Sequence, residues 1–218
     1  MPDPLILGFD TSAAHCAAVL LSGERVLVAR HEEMAKGQAE RLMPLLQEVL
    51  AEAGTNWRVL AALGVGIGPG NFTGIRIAVS AARGLALSLG IPAVGVSTLE
   101  AQAFGLAGVV ISSLDARRGG LYVHVLGTGE QTAPVLCDLA SLPPCPARFK
   151  PSCVGFSNDE ISALCDGHPV SAKMPGAEAI ARIAGQKWQR DNLPRPAPLY
   201  LRGADAAPSR ESAPAILS

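Results

Sequence analysis

Aromatic side chains make up only 4% of this 218-residue chain. That scarcity leaves no broad stacking platform for bases and points to a core of Leu, Val, Ile and Ala. An excess of positive charge is lacking too. The 18 Lys and Arg against 19 Asp and Glu give a formal net charge of −1, which argues against tight, independent binding of nucleic acid, because backbone affinity rests on clustered cations. The five cysteines (Cys16, Cys137, Cys145, Cys153, Cys165) are odd in number and show no Cys-x-x-Cys spacing. Reduced thiols are expected rather than a disulfide framework. No uninterrupted apolar run reaches the ~18 residues of a membrane span. Met1-Pro2-Asp3-Pro4 has no positive n-region before the short apolar stretch 5–9, so the expectation is a soluble cytoplasmic protein with no membrane attachment.

Several catalytic signatures are also missing. No Gly-x-Ser-x-Gly occurs, since Gly95-Val-Ser97-Thr-Leu99 and Gly155-Phe-Ser157-Asn-Asp159 both lack the closing glycine. His15, His31, His124 and His168 are scattered without His-x-x-x-His spacing, so no metal site and no catalytic residue is assigned. Two hydrolase and transferase readings still stand as alternatives. Ser12 could be a nucleophile served by His15 or His124. Asp10 could hold a metal–phosphate in a small-molecule ATP-dependent phosphotransferase.

Hydrophobic residues at 49% supply a sizeable core, enough for one large domain or two lobes of about 100 residues. Alternating and buried-strand patterns predict strands over 5–9, 16–21 and 26–31, joined by short turns. The period then changes to helical from Gln38, closed by Gly54, with Pro44 expected in about the first turn. A strand over 61–67, a helix from Thr73 to Leu89 stopped by Gly90, a strand over 91–96 and a helix capped by Ser97 or Thr98 complete a β-β-β-α-β-α-β-α order. A second unit starts near 109, with strands over 109–114, 121–126 and about 153–156, and a helix over about 177–190. It reads as poorer in helices. The division drawn is a first lobe over 1–107, a smaller lobe over 108–202, and a mobile tail over 203–218.

The densest motif is Gly64-Val-Gly-Ile-Gly-Pro-Gly-Asn-Phe-Thr-Gly74. Gly74 is followed by Ile75 and Arg76 rather than Lys-Ser/Thr, so it is not a Walker loop. Asn71 at the third glycine's place excludes the dinucleotide fingerprint. Two readings remain: an anion loop made by Gly68, Gly70, Asn71, Thr73 and Gly74, with Thr73 capping the helix, or a tight strand-to-helix turn with no ligand. Asp10-Thr11-Ser12 is likewise either turn chemistry or an acid placed for a metal–phosphate. Arg117 and Arg118 either steer an anion or pair with Asp115. On the helices, Ala39, Met43, Leu46, Leu50 and Ala53 add a stripe beside Leu42, Leu45 and Val49 and widen the first apolar face. Gly74, Ala78, Ala81, Ala82 and Leu85 form a small-residue stripe on the second, beside Arg76 and Arg83. Such faces are either buried on two sides within the monomer or kept for a partner.

Together, Ile6-Leu-Gly-Phe-Asp-Thr-Ser12, Glu40-Arg-Leu-Met-Pro44, Gly66-Ile-Gly-Pro-Gly-Asn-Phe-Thr-Gly-Ile-Arg76, Gly95-Val-Ser-Thr-Leu99, Asp115-Ala-Arg117 and Tyr200-Leu-Arg202 resemble the TsaB (YeaZ) family in content and order. The resemblance is weakest over about 127–177. It implies an α/β, actin-like ASKHA (ribonuclease H-like) fold of two lobes, each a mixed sheet flanked by helices. It also implies a non-catalytic subunit, with no cofactor, that activates a TsaD-type paralogue in threonylcarbamoylation of tRNA adenosine. A TsaE-type ATPase joins that pair, homodimers use the same first-lobe helices, and tRNA is met only through the complex. The partner-facing residues implied are Leu42, Met43, Leu46, Leu50, Gly74, Arg76, Ala78, Ala81, Ala82, Arg83 and Leu85. Two departures accompany the resemblance: Gln38 stands where many relatives have His, and the second-lobe glycine cluster for adenosine is reduced to Val154-Gly-Phe156.

Overall fold

The computed structural model describes residues 3–129, 132–145 and 149–202. The tail expected over 203–218 lies outside the described residues. Ten strands form two five-stranded mixed sheets among those residues. The first is ordered β3-β2-β1-β4-β5, from β1 (Leu5–Asp10), β2 (His15–Ser22), β3 (Arg25–Glu33), β4 (Leu60–Gly66) and β5 (Ala93–Val96). The second is ordered β10-β9-β6-β7-β8, from β6 (Val110–Arg117), β7 (Gly120–Leu126), β8 (Val135–Cys137), β9 (Ser152–Gly155) and β10 (His168–Val170).

The central strand β1 pairs antiparallel with β2 and parallel with β4. Its alternation explains why it is buried on both faces. Leu7 and Phe9 point into one core with Leu42, Leu45, Leu46, Val49, Ile75 and Val79, carried by α1 (Gln38–Glu52) and α2 (Phe72–Leu89). Ile6 points the other way, into a second core with Ile180, Ala181, Ile183 and Ala184 of α5 (Gly176–Lys187). Although α5 follows the second sheet in the chain, it packs on the back of the first. A Cβ added to Gly8 would lie 2.6 Å from the Ala181 Cβ. Only glycine lets the helix come so near the strand.

Two elements differ from the sequence expectations. Pro44 sits inside α1, in its second turn. It and Glu40, whose carbonyl loses the Pro44 N–H, are both exposed, so the missing bond falls on the solvent side of the helix. The second unit is richer than its pattern suggests, with α4 (Asn158–Cys165) packed on β9 and β10. The short α3 (Thr98–Ala103), capped by the Ser97 hydroxyl accepting from the Glu100 N–H, packs against α5, β6 and β7 and so joins the two sheets.

Candidate functional site

The glycine-rich loop between β4 and α2 lies on the turn that follows β1. Asn71 N–H donates to the Ser12 carbonyl at 2.6 Å, and the Thr11 hydroxyl donates to the Gly74 carbonyl at 2.7 Å. A methyl group on Gly70 would overlap the Ser12 carbonyl, and one on Gly74 would overlap the Thr11 carbonyl. Backbone-on-backbone packing therefore accounts for both glycines. Gly68, at φ 88, accepts from the Thr98 N–H at 2.9 Å and links the loop to α3.

The helix cap corrects the sequence reading. Asn71, not Thr73, is the N-cap: its side-chain oxygen accepts from the Gly74 N–H at 2.8 Å. Thr73 falls within the first turn and is exposed. Asn and Thr are both good caps, and the short loop places Asn71 in the extended conformation that capping needs. One first-turn donor is thereby occupied by the chain itself.

Asp10, Thr11 and Ser12 are buried. The Asp10 carboxylate accepts from the Ser12 N–H at 3.1 Å and from the Ser12 hydroxyl at 2.8 Å, and the His15 Nε2 lies 2.9 Å from the same carboxylate. That bond, followed by the remaining field of Asp10 and Glu33, raises the His15 pKa above its ordinary value against the opposing effect of burial. Serine and histidine thus both address the acid. A hydrolytic relay needs the histidine between serine and acid, so this order does not make Ser12 a nucleophile. Asp115 behaves as turn chemistry as well: its carboxylate accepts from the Arg117 backbone N–H at 2.7 Å. Among the described residues, no group of three or more His, Cys, Asp or Glu could hold a metal ion.

The residues expected at a partner face separate into two sets. Leu42, Leu46, Leu50, Gly74, Ala78 and Ala82 are buried within the monomer. They are spent on the first sheet and on the packing of α1 against α2, because both helices turn their widest apolar stripe inward. Met43, Arg76 and Arg83 are exposed, and Ala81 and Leu85 are half-buried. Met43 and Leu85, with Asn56, Trp57, Arg58, Ser88 and Leu89, line a groove of about 540 Å³ between the middle of α1, the chain at 56–58 and the C-terminal end of α2. Leu87, 85% exposed on α2, was not singled out from the sequence. Its signal was available: it is one helical turn beyond Arg83 on the same face.

A further contact joins two distant motifs. Arg76 on α2 donates from Nε to the Tyr200 hydroxyl at 2.7 Å and lies 3.7 Å above the Phe72 ring. Leu199 N–H donates to the Ile67 carbonyl. The segment after α5 therefore crosses the end of β4 and reaches the start of α2. Gln38 uses its amide to donate to the Met34 carbonyl at 3.1 Å, so at this position the side chain ties the start of α1 to the preceding loop.

Two mixed sheets with helices on both faces of the first, joined through a helix between them, define an actin-like, ASKHA-type protein. Its fold is shared with an ethanolamine utilization protein EutJ of Carboxydothermus hydrogenoformans (14% identity, TM-score 0.51, 84% of this chain and 91% of that one). The sequence model described as TsaD, tRNA N6-adenosine threonylcarbamoyltransferase, matches residues 31–140. YeaZ from Pseudomonas aeruginosa is 28% identical, with a TM-score of 0.75, over 91% of this chain and all of that one. The tRNA threonylcarbamoyladenosine biosynthesis protein TsaB of Escherichia coli is 38% identical over 122 residues, 54% of this chain. An uncharacterized protein of Mycobacterium tuberculosis is 32% identical over 211 residues, 93% of this chain and 94% of its own length. The chain belongs to the TsaB (YeaZ) family. It spans about half the length of the curated TsaB relatives it matches, 52% for that of Escherichia coli and 53% for that of Haemophilus influenzae.

Proposed function

We propose that this chain serves tRNA threonylcarbamoyladenosine biosynthesis as a non-catalytic subunit. In this reading it binds a TsaD-type paralogue through the outer faces of α1 and α2 and stabilises the active form of that partner. The observation that carries the reading is the surface of α2. Its mean hydropathy of 1.2 is high enough for a buried helix, yet only 28% of it is buried in the monomer. A helix apolar around most of its circumference needs a second covering surface. By length and composition alone it could also cross a membrane. Its charged Arg76 and Arg83, and its inner face of Ile75, Ala78, Val79 and Ala82 set in the core, favour a protein partner instead.

Met43, Ala81, Leu85 and Leu87 supply the contact, and the groove beside Trp57 receives a side chain from the partner. A TsaE-type ATPase joins the assembled pair, the free chain forms homodimers through the same faces, and tRNA is met only in the complex. The working compartment is the cytoplasm. The order Ser12–Asp10–His15 and the backbone use of the glycine loop support a subunit whose site-like motifs build structure rather than carry out a reaction.

The test is light scattering after size-exclusion chromatography, with the chain alone and mixed with a TsaD-type protein. A new peak at the mass of the mixed complex, with threonylcarbamoyl transfer to tRNA rising on addition of this chain, is the expected result. Two unchanged peaks and no stimulation would overturn it.

A further inference from the structure

A second groove, of about 490 Å³, lies on the flank of α2 opposite the one beside Trp57. Arg83, Gly84 and Leu87 of α2 form one wall, and Leu193 and Arg195 of the chain after α5 form the other. Proline at 194, 196 and 198 fixes φ along that second wall and holds the residues between extended. Pro196 is buried, and the Leu199 N–H donates to the Ile67 carbonyl at 2.8 Å, so the wall is anchored. The N–H groups of Arg195 and Ala197 have no hydrogen-bond partner among the described residues, which leaves main-chain donors for an incoming segment. The charge here has one sign. Arg83 and Arg195 are exposed, and neither has an ion pair or hydrogen bond among the described residues. No acidic residue lines the groove, and neither α2 nor the segment 193–202 contains one, although the whole chain carries a net charge of −1. Gly84 adds a notch. Nothing lies within 4 Å of a Cβ added there, so packing within the monomer does not require a glycine that weakens the helix.

We propose that this groove docks a short acidic segment of a partner protein, extended and carrying a large apolar side chain among its carboxylates. The apolar side chain fills the notch at Gly84, beside Leu87 and Ile91, which line the same groove. The carboxylates meet Arg83 and Arg195, whose fork of donors suits them. The stiff proline wall loses little freedom when the segment binds. A second copy of this chain is a poor occupant, because a two-fold contact would set the arginines of one groove against those of the other. The site is separate from the pairing proposed above. Leu87 borders both surfaces, so the test leaves it unchanged.

The experiment follows the fluorescence anisotropy of labelled octapeptides titrated with the intact chain. One set carries Leu or Phe flanked by Asp and Glu, and the control set has Ser in place of the acids. The expected result is saturable binding of the acidic set alone, weakened several-fold between about 50 and about 500 mM salt. Arg83→Glu combined with Arg195→Glu should weaken it at least about tenfold. Gly84→Leu should abolish it without lowering the melting midpoint, because leucine favours a helix more than glycine does. Equal binding of the serine set, acidic binding that survives these substitutions, or no saturable binding of any peptide would each overturn the proposal. So would co-sedimentation with phosphatidylglycerol vesicles in the absence of peptide binding, which would assign the groove to a lipid surface.

Discussion

At Gly74 one methyl group is enough to separate two parts of the fold. The Thr11 carbonyl occupies the place of its absent side chain, and the Thr11 hydroxyl holds the Gly74 carbonyl. Gly74→Ala should cost about 1–3 kcal/mol of stability, in the range of overpacked sites. Gly84, on the same helix with nothing within 4 Å of an added Cβ, should respond oppositely, with Gly84→Ala stabilising by about 0.5–1 kcal/mol. Urea unfolding of both variants checks the pair, and equal midpoints would show that the loop yields without strain. His15 makes a second prediction at this scale. Its pKa is raised in the folded protein, chiefly by the bond to Asp10. Its stabilising contribution is therefore complete below its ordinary value of 6.5 and is lost as pH rises through the higher folded value. Stability should fall across that window above 6.5, and His15→Gln should remove that part of the slope. A variant with the unchanged pH profile would place the titration elsewhere.

Helices α1 and α2 show how far an element can be read from its own residues. Their existence and length follow from spacing, since Leu42, Leu45, Leu46, Val49 and Leu50 recur on one face and Gly90 ends α2 in the left-handed region. Which of two apolar stripes faces inward does not follow, because both are apolar and the choice is made by the sheet. Six of the residues assigned to a partner are core residues for that reason. The difference changes the mutational test. Ala78 is fully buried, so Ala78→Glu should unfold the monomer by leaving a charge in the core. Ala81 is only half-buried, so Ala81→Arg, together with Leu87→Asp, should block the proposed pairing while circular dichroism and the melting midpoint stay near those of the parent. Full complex formation by the double variant would move the contact to another face. Elements in the second sheet were less legible. Strands β8 and β10 have three residues each, mostly exposed, and α4 buries only Ile161 and Ser162. Periods that short leave no pattern to detect.

At the scale of the whole molecule, sequence order and spatial order part at α5. The change of pattern near residue 107 predicts a second lobe over 108–202, yet α5 within that range packs on the first sheet, and nothing local to 176–187 says which sheet the helix covers. The complement is spread over distant positions: Gly8 on β1 and Gly64 on β4 face Ala181 and Ala184, with an added Cβ on Gly64 only 2.9 Å from the Ala184 Cβ. Small residues on both sides let α5 lie close to the sheet, and Lys187 and Arg182 then pair with Glu100 and Glu24 around it. The first sheet accordingly depends on the far end of the chain. A fragment of residues 1–107 would expose Ile6, Val19, Leu21 and Val94, which are buried in the core shared with α5, a continuous apolar surface that water does not tolerate. That fragment should be insoluble or lack a cooperative unfolding transition, whereas the chain ending at 202 should unfold in one step. A synthetic α5 peptide over 172–190 added to the fragment should restore part of its protection from amide exchange, centred on β1 and β4. Cooperative folding of the fragment without the peptide would show that α5 only covers a sheet already formed.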